Sequence, residues 1–136
     1  IKVLPAYDDQ IMLQTPKGVS DPFYGTDWKG KRFYEDFTEF TFKSLKYTNK
    51  VIESLNIVGT RILRLYPKTC YSYHRDRTQR VHIPIITNNN CFFVIEDKIK
   101  RCPANGNHYL IDTTQLHTFV NASKQERIHI VGLVAT

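Results

Sequence analysis

The chain has 136 residues, 41% of them hydrophobic and 24% charged, which fits one globular domain around one core rather than a disordered or fibrous chain. No run approaches the roughly 18 consecutive apolar residues of a bilayer span, so no membrane partner is expected. The formal charge is +6, but the basic residues are scattered and no aromatic-studded basic stripe is present; a nucleic-acid partner is not expected, and an anion-binding pocket explains the excess more simply.

The opening Ile1-Lys2-Val3-Leu4-Pro5 has neither an initiator Met nor the apolar stretch of a secretory signal. Three cysteines, Cys70, Cys91 and Cys102, without CxxC spacing argue against a disulfide framework or a structural zinc site, and make a reducing cytoplasm the expected setting. Gln10 to Gln14 reads as a short strand, followed by turns at Pro16-Lys17-Gly18 and Asp21-Pro22. Trp28, Phe33 and Tyr34 are expected to pack this segment onto the rest. Asp36 to Glu39 reads as a capping box opening an amphipathic helix over 37–55, with Gly59 as its stop.

From Thr60 the period changes to two. Predicted strands are Arg61–Tyr66, Tyr71–Asp76, Arg80–Thr87, Cys91–Glu96, Lys98–Cys102, Tyr109–Thr113, Thr118–Asn121 and Arg127–Val134, separated by turn signals such as Asn88-Asn89-Asn90. This predicts a mainly β domain with a supporting helix: residues 1–59 as support, 60–136 as an antiparallel sandwich or barrel of eight strands. Alternation puts Arg80 and His82 opposite Val81, Ile83 and Ile85, and Arg127 and His129 opposite Ile128 and Ile130. If the aliphatics pack outward against other elements, the polar faces line a cavity.

His74 and Asp76 stand two apart, on one face of an extended segment, and His117 follows 41 positions later. Two histidines and one carboxylate form the facial set that binds Fe(II) and leaves open positions for other ligands. Arg127, ten residues past His117, returns a guanidinium toward the same cavity and can grip a carboxylate in two-pronged fashion. 2-Oxoglutarate needs such a group at the end far from the metal.

His74-Arg75-Asp76, Arg80-Val81-His82-Ile83-Pro84, the run Gly106 to Asp112, His117 to Asn121 and Arg127-Ile128-His129 together resemble the aspartyl/asparaginyl β-hydroxylase family, which includes proline hydroxylase-like members. The similarity covers about the last 75 residues. It implies a double-stranded β-helix (a jelly-roll, cupin-like barrel) and an Fe(II)- and 2-oxoglutarate-dependent dioxygenase. Such an enzyme hydroxylates an amino-acid side chain, free or in a protein, and releases succinate and CO2 from 2-oxoglutarate and O2. By the same resemblance His74, Asp76 and His117 match metal ligands. Arg127 matches the residue that grips the distal carboxylate, and Arg80 and His82 match a pair near the metal-side carboxylate. One polar cosubstrate contact of some members falls near Leu63, which has no polar atom.

Plainer readings stand beside these. His129 fits a core or solvated histidine, His108 a loop, Asp112 a turn, and Tyr66, Tyr71, Tyr73 and Phe119 core or cavity wall. Two other functions fit the same pattern less fully. A cupin-type metal enzyme would use the His-x3-Asn of His117 to Asn121 but lacks its His-x-His motif. A non-catalytic jelly-roll would bind no metal. The sequence leaves the substrate and the oligomeric state open.

Overall fold

The computed structural model describes residues 2–4 by their backbone, and 9–25 and 34–135 in full. Trp28 and Phe33, expected to pack the N-terminal segment, lie outside the described residues. In chain order the elements are β1 (Lys2–Leu4), β2 (Gln10–Met12), β3 (Gln14–Thr15), a 3-10 turn (Tyr34–Asp36), β4 (Glu39–Phe40) and α1 (Lys46–Ser54). Then come β5 (Ile57–Leu65), β6 (Thr69–Tyr71), β7 (Arg80–Ile86), β8 (Cys91–Ile95), β9 (Lys98–Lys100), β10 (Tyr109–Ile111), β11 (His117–Asn121) and β12 (Arg127–Val134).

Two five-stranded sheets, β1-β6-β11-β8-β9 and β10-β7-β12-β5-β2, form a jelly-roll of the double-stranded β-helix type; β3 and β4 make a separate ribbon. Alternation decides what faces the interior. Along β12, Arg127, His129 and Val131 are buried between the sheets, while Ile128 and Ile130 point to the outer face. The interior core is Leu65, Tyr71, Phe93, Cys102, Ile111 and Phe119. A second cluster of Leu13, Ile52, Ile57 and Val81 holds α1 and the β3–β4 ribbon against the outside of the second sheet. The aliphatics of β7 and β12 therefore pack outward and their Arg and His residues inward, as the pattern predicts. Among the described residues no helix is long and apolar enough to cross a membrane.

The N-terminal half departs from expectation. The helix covers only Lys46–Ser54, and its N-cap is Leu45, not Asp36. Asp36 closes the 3-10 turn, and Glu39 and Phe40 pair with Thr15 and Gln14. Backbone groups from 37 to 41 are already engaged: Thr41 N donates to Leu13 O, and Phe37 O accepts from Gly59 N. A helix there would have to give up these bonds and expose Phe37, which is buried. The helix stop is also misplaced. Asn56, at φ 52°, makes the left-handed turn, and its N–H bonds Glu53 O.

Gly59 has a different task. It lies within β5 at φ +59°, where an added Cβ would stand 2.7 Å from both Cβ and O of Tyr34. Its carbonyl accepts from Arg61 Nη1 at 3.0 Å. Gly59→Ala is therefore expected to cost about 1–3 kcal/mol through overpacking and left-handed strain. A urea melt checks this; an unchanged midpoint would contradict it.

Candidate active site

The barrel interior is layered by strand register. Val131 pairs with Arg61 and with His82; His129 pairs with Leu63 and with Pro84; Arg127 pairs with Leu65. Because side chains on one face repeat every two residues, these three rows lie roughly 7 Å apart along the strands. The opposite sheet supplies matching rows from β11: His117, then Phe119, then Asn121, each buried.

The first row holds the candidate metal set. His74 and Asp76 lie just past β6, not inside one strand as expected from Tyr71–Asp76. The segment is pinned instead by a bridge between His74 and His117, with N–H to O bonds in both directions (3.0 and 2.9 Å). Asp76 N donates to Thr113 O at 2.8 Å. These bonds bring ligand atoms of His74, Asp76 and His117 within 4.8 Å of one another. The His74 and His117 ring centroids are 4.4 Å apart. His74 Nε2 lies 3.5 Å from Asp76 Oδ1, and His117 Nε2 lies 3.6 Å from Asp76 Oδ2.

The far side of each ring is fixed. His74 Nδ1 bonds Ser72 O at 2.7 Å and His117 Nδ1 bonds Gln115 O at 2.8 Å. A carbonyl accepts only, so each Nδ1 carries the proton and each Nε2 presents its lone pair toward Asp76. Backbone carbonyls orient metal-binding histidines in this way. His117 Nε2 is buried with no hydrogen-bond partner. A buried lone pair without a donor is costly, and a cation among these three groups would satisfy it. The donor set thus fits a divalent transition metal with open positions.

Charge follows the same plan. Burial opposes ionisation of Asp76, but the His74 hydrogen bond and the charges of Arg80 and His117 outweigh it and hold its pKa near 2. Burial lowers the pKa of His117, which keeps its ring neutral at neutral pH. When protonated, the His74 ring can donate to Asp76, and that hydrogen bond raises its pKa. Arg80 Nε lies 3.6 Å from Asp76 Oδ2.

These groups open onto a cavity of about 160 Å³ lined by Tyr34, Arg61, Leu63, Tyr71, His74, Asp76, Arg80, His82, Phe119 and Val131. Tyr71 and Phe119 are thus cavity wall, whereas Tyr66 and Tyr73 are exposed. Arg61 is a functional candidate that the sequence reading missed. It is 5% exposed and its Nε has no partner. Its guanidinium sits 4.5 Å over the Tyr34 ring, and burial with nearby Arg80 lowers its pKa to about 10. The sequence signal is weak, because Arg61 and Arg64 fall on opposite faces of β5 and only the pairing shows which faces in.

Arg127 lies two rows deeper. It is 2% exposed, and its guanidinium lies 5.3 Å from the centroid of Phe119, the residue that floors the metal cavity. It packs among Thr87, Cys91, Phe92, Phe93, Cys102 and His129 with no room for a water molecule between them, and its Nε and Nη2 lack partners. Arg80 and His82 line the cavity beside the His74–Asp76–His117 set; Arg127 faces inward but does not reach it. His108 is exposed, and Asp112 bonds Thr114 N within a turn.

Burial gives the interior histidines a second signature. Burial and the Arg127 charge push His82 and His129 well below the usual histidine range. The unfolded chain takes up these protons below about pH 6.5, and the folded chain does not. Stability is therefore complete above that pH and falls on acidification, by up to about 1.4 kcal/mol per pH unit for each ring. Chemical unfolding of metal-free protein between pH 7 and pH 5 tests this; a flat midpoint would rule it out.

The fold is thus a jelly-roll with two histidines and an aspartate converging on its inner face, a donor set that could hold a metal ion. The family model for aspartyl/asparaginyl beta-hydroxylase matches residues 8–134, and the chain belongs to that family. The match takes in the N-terminal half as well, beyond the C-terminal motifs, and makes the chain a hydroxylase-family protein. Among solved structures, a cupin domain from Bordetella pertussis Tohama I is 16% identical, with 57% of this chain and 80% of that one covered and a TM-score of 0.48. A predicted oxalate decarboxylase from Thermotoga maritima is 12% identical over 64% and 74% of the chains, also with a TM-score of 0.48. No curated protein matches the chain significantly.

Proposed function

We propose that this chain is an Fe(II)- and 2-oxoglutarate-dependent hydroxylase of an amino-acid side chain of the Asp, Asn or Pro kind, free or within a protein. The observation that carries this reading is the convergence of His74, Asp76 and His117 with both Nε2 atoms turned inward. Bound Fe(II), 2-oxoglutarate and O2 would supply the oxidising power for C–H hydroxylation, with succinate and CO2 as products.

The chain's own residues divide the remaining work. His74, Asp76 and His117 hold the metal on one side only. Arg127 receives the distal carboxylate of the cosubstrate, an anion that matches its two unpartnered nitrogens. Arg80 and Arg61 set two cations against the single carboxylate of Asp76 in the metal cavity. That balance attracts the metal-side carboxylate and favours a substrate that carries one of its own. Leu63, Tyr71 and Phe119 wall the cavity with apolar surface and keep water from the reacting centre.

A cupin enzyme reading a His-x3-Asn ligand pattern is less well supported. Asn121 spends its Nδ2 on Leu65 O and Gln125 O, two rows away from the metal set. The direct test is O2-dependent succinate formation by the iron-loaded protein across a panel of free amino acids and peptides. Stimulation by one class identifies the substrate. No succinate with any of them, with or without substrate, would sink the proposal.

A further inference from the structure

We infer that Arg61 grips a carboxylate of the substrate, so that the substrate is an amino acid with a free carboxylate close to the reacting carbon. Two sources carry that group: the α-carboxylate of a free amino acid, or an acidic side chain within a protein. The inference deepens the hydroxylase reading above and rests on it. It removes asparagine and proline inside a protein from the candidates, because neither offers a carboxylate there.

Arg61 and His82 both pair with Val131, and His117 stands in the matching row of the opposite sheet. The Arg61 side chain lines the cavity of about 160 Å³ onto which His74, Asp76 and Arg80 also open. A single water needs only roughly 10–15 Å³ of cavity, so a ligand of several atoms can come against Arg61. The guanidinium is held in one orientation. It lies 4.5 Å over the Tyr34 ring, and Nη1 donates to Gly59 O at 3.0 Å. The bond to Gly59 leaves the other edge, Nε with Nη2, for a ligand, and Nε is buried without a partner. On that edge a guanidinium meets a carboxylate with two parallel hydrogen bonds. Arg61 is 5% exposed, yet with a pKa of about 10 it keeps its charge at neutral pH. A buried cation without a carboxylate beside it is costly, and stacking on one ring offsets only part of that cost.

The two arginines of the cavity are not equivalent. Arg80 Nε stands 3.6 Å from Asp76 Oδ2, so Arg80 belongs with the metal set and with whatever chelates the metal. Arg61 has no ion pair among the described residues, and Tyr34, on which it stacks, belongs to the 3-10 turn rather than to the metal-binding segment. Two arginines and a divalent ion set against Asp76 leave an excess of positive charge. The metal-side carboxylate of the cosubstrate does not cancel it, and a second carboxylate, supplied by the substrate, does.

The test uses Fe(II)-loaded protein saturated with 2-oxoglutarate without O2, titrated calorimetrically with matched acids and amides. One set is free L-proline and L-asparagine, each against its α-amide. The other is L-aspartate against L-asparagine, both N-acetylated and C-terminally amidated. An acid of one set should bind the parent protein at least about 10-fold more tightly than its amide, and the set that shows this preference identifies the source of the carboxylate. Arg61→Met should weaken that acid roughly 10- to 100-fold, the loss of hydrogen bonds to a charged group. The amide and 2-oxoglutarate should stay within a few-fold of the parent. Arg61→Lys keeps the charge without the fork and should retain part of the preference; it decides if the Met variant does not fold. Equal losses for acid and amide, or a matching loss of 2-oxoglutarate affinity, would make Arg61 a structural or cosubstrate residue and overturn the inference. So would a parent protein that binds acids and amides alike, or binds none of them. In each of these cases 2-oxoglutarate still binds the parent and the hydroxylase reading stands. If the parent does not bind 2-oxoglutarate, that reading has failed, and the inference with it.

Discussion

Asp76→Ala is expected to lower Fe(II) affinity by more than about 100-fold, the upper end of the loss caused by removing an outer partner of a metal ligand. Asp76 is the only carboxylate of the set and stands between both rings. Removing it leaves a cation site made of two neutral imidazoles, with the positive charge of Arg80 beside it. The remaining pair neither balances the charge of the ion nor completes one face of its coordination sphere. Competition with a coloured chelator measures the affinity directly. Parent-like iron binding in the variant would remove Asp76 from the site, and with it the two-His-one-carboxylate reading.

Arg127→Met should act in opposite directions on stability and on binding. Arg127 is packed among thiols and aromatic rings, with two of its nitrogens unpartnered, and burial lowers its pKa. An isolated buried cation is expensive, and apolar replacement of buried ionic groups is often stabilising by about 1–4 kcal/mol. The stacking on Phe119 returns only about 1–2 kcal/mol. Met fills a similar volume without the charge, so the variant should melt higher than the parent. It should also bind 2-oxoglutarate at least about 100-fold more weakly, because the distal carboxylate loses its charged partner. A protein that keeps an unpaired buried guanidinium is expected to use it. A variant that is less stable and binds the cosubstrate normally would make Arg127 a structural residue.

The sequence made the second half of this molecule legible because one physical rule governs it. Period-two alternation located most strands from Arg61 to Val134, though it ran the strand at Tyr71 on to Asp76, and it put Arg80, His82, Arg127 and His129 on the face that the structure turns inward. The first half obeys no single period. Phe37, Phe40 and Leu45 recur at helical spacing, yet their packing comes from a 3-10 turn, a two-residue strand and a loop. Tertiary hydrogen bonds to Leu13 and Gly59 override the local helical pattern. Asp36 to Glu39 carries the letters of a capping box without the helix. Arg61 was missed for a related reason: the charges on β5 fall on both of its faces, and only pairing with Val131 shows which one is buried. The depth of Arg127 was equally hidden. Spacing from His117 indicates that it returns to the barrel, but only the register with Leu65 puts it two rows below the metal set.

The measurement that bears most directly on the whole account is anaerobic reconstitution with Fe(II), followed by 2-oxoglutarate, monitored by visible absorption. The account predicts one iron per chain and a weak charge-transfer band that grows with 2-oxoglutarate and not with glutarate, which lacks the 2-oxo group. Stoichiometric iron without a band would deny the cosubstrate, and failure to retain iron would deny the site.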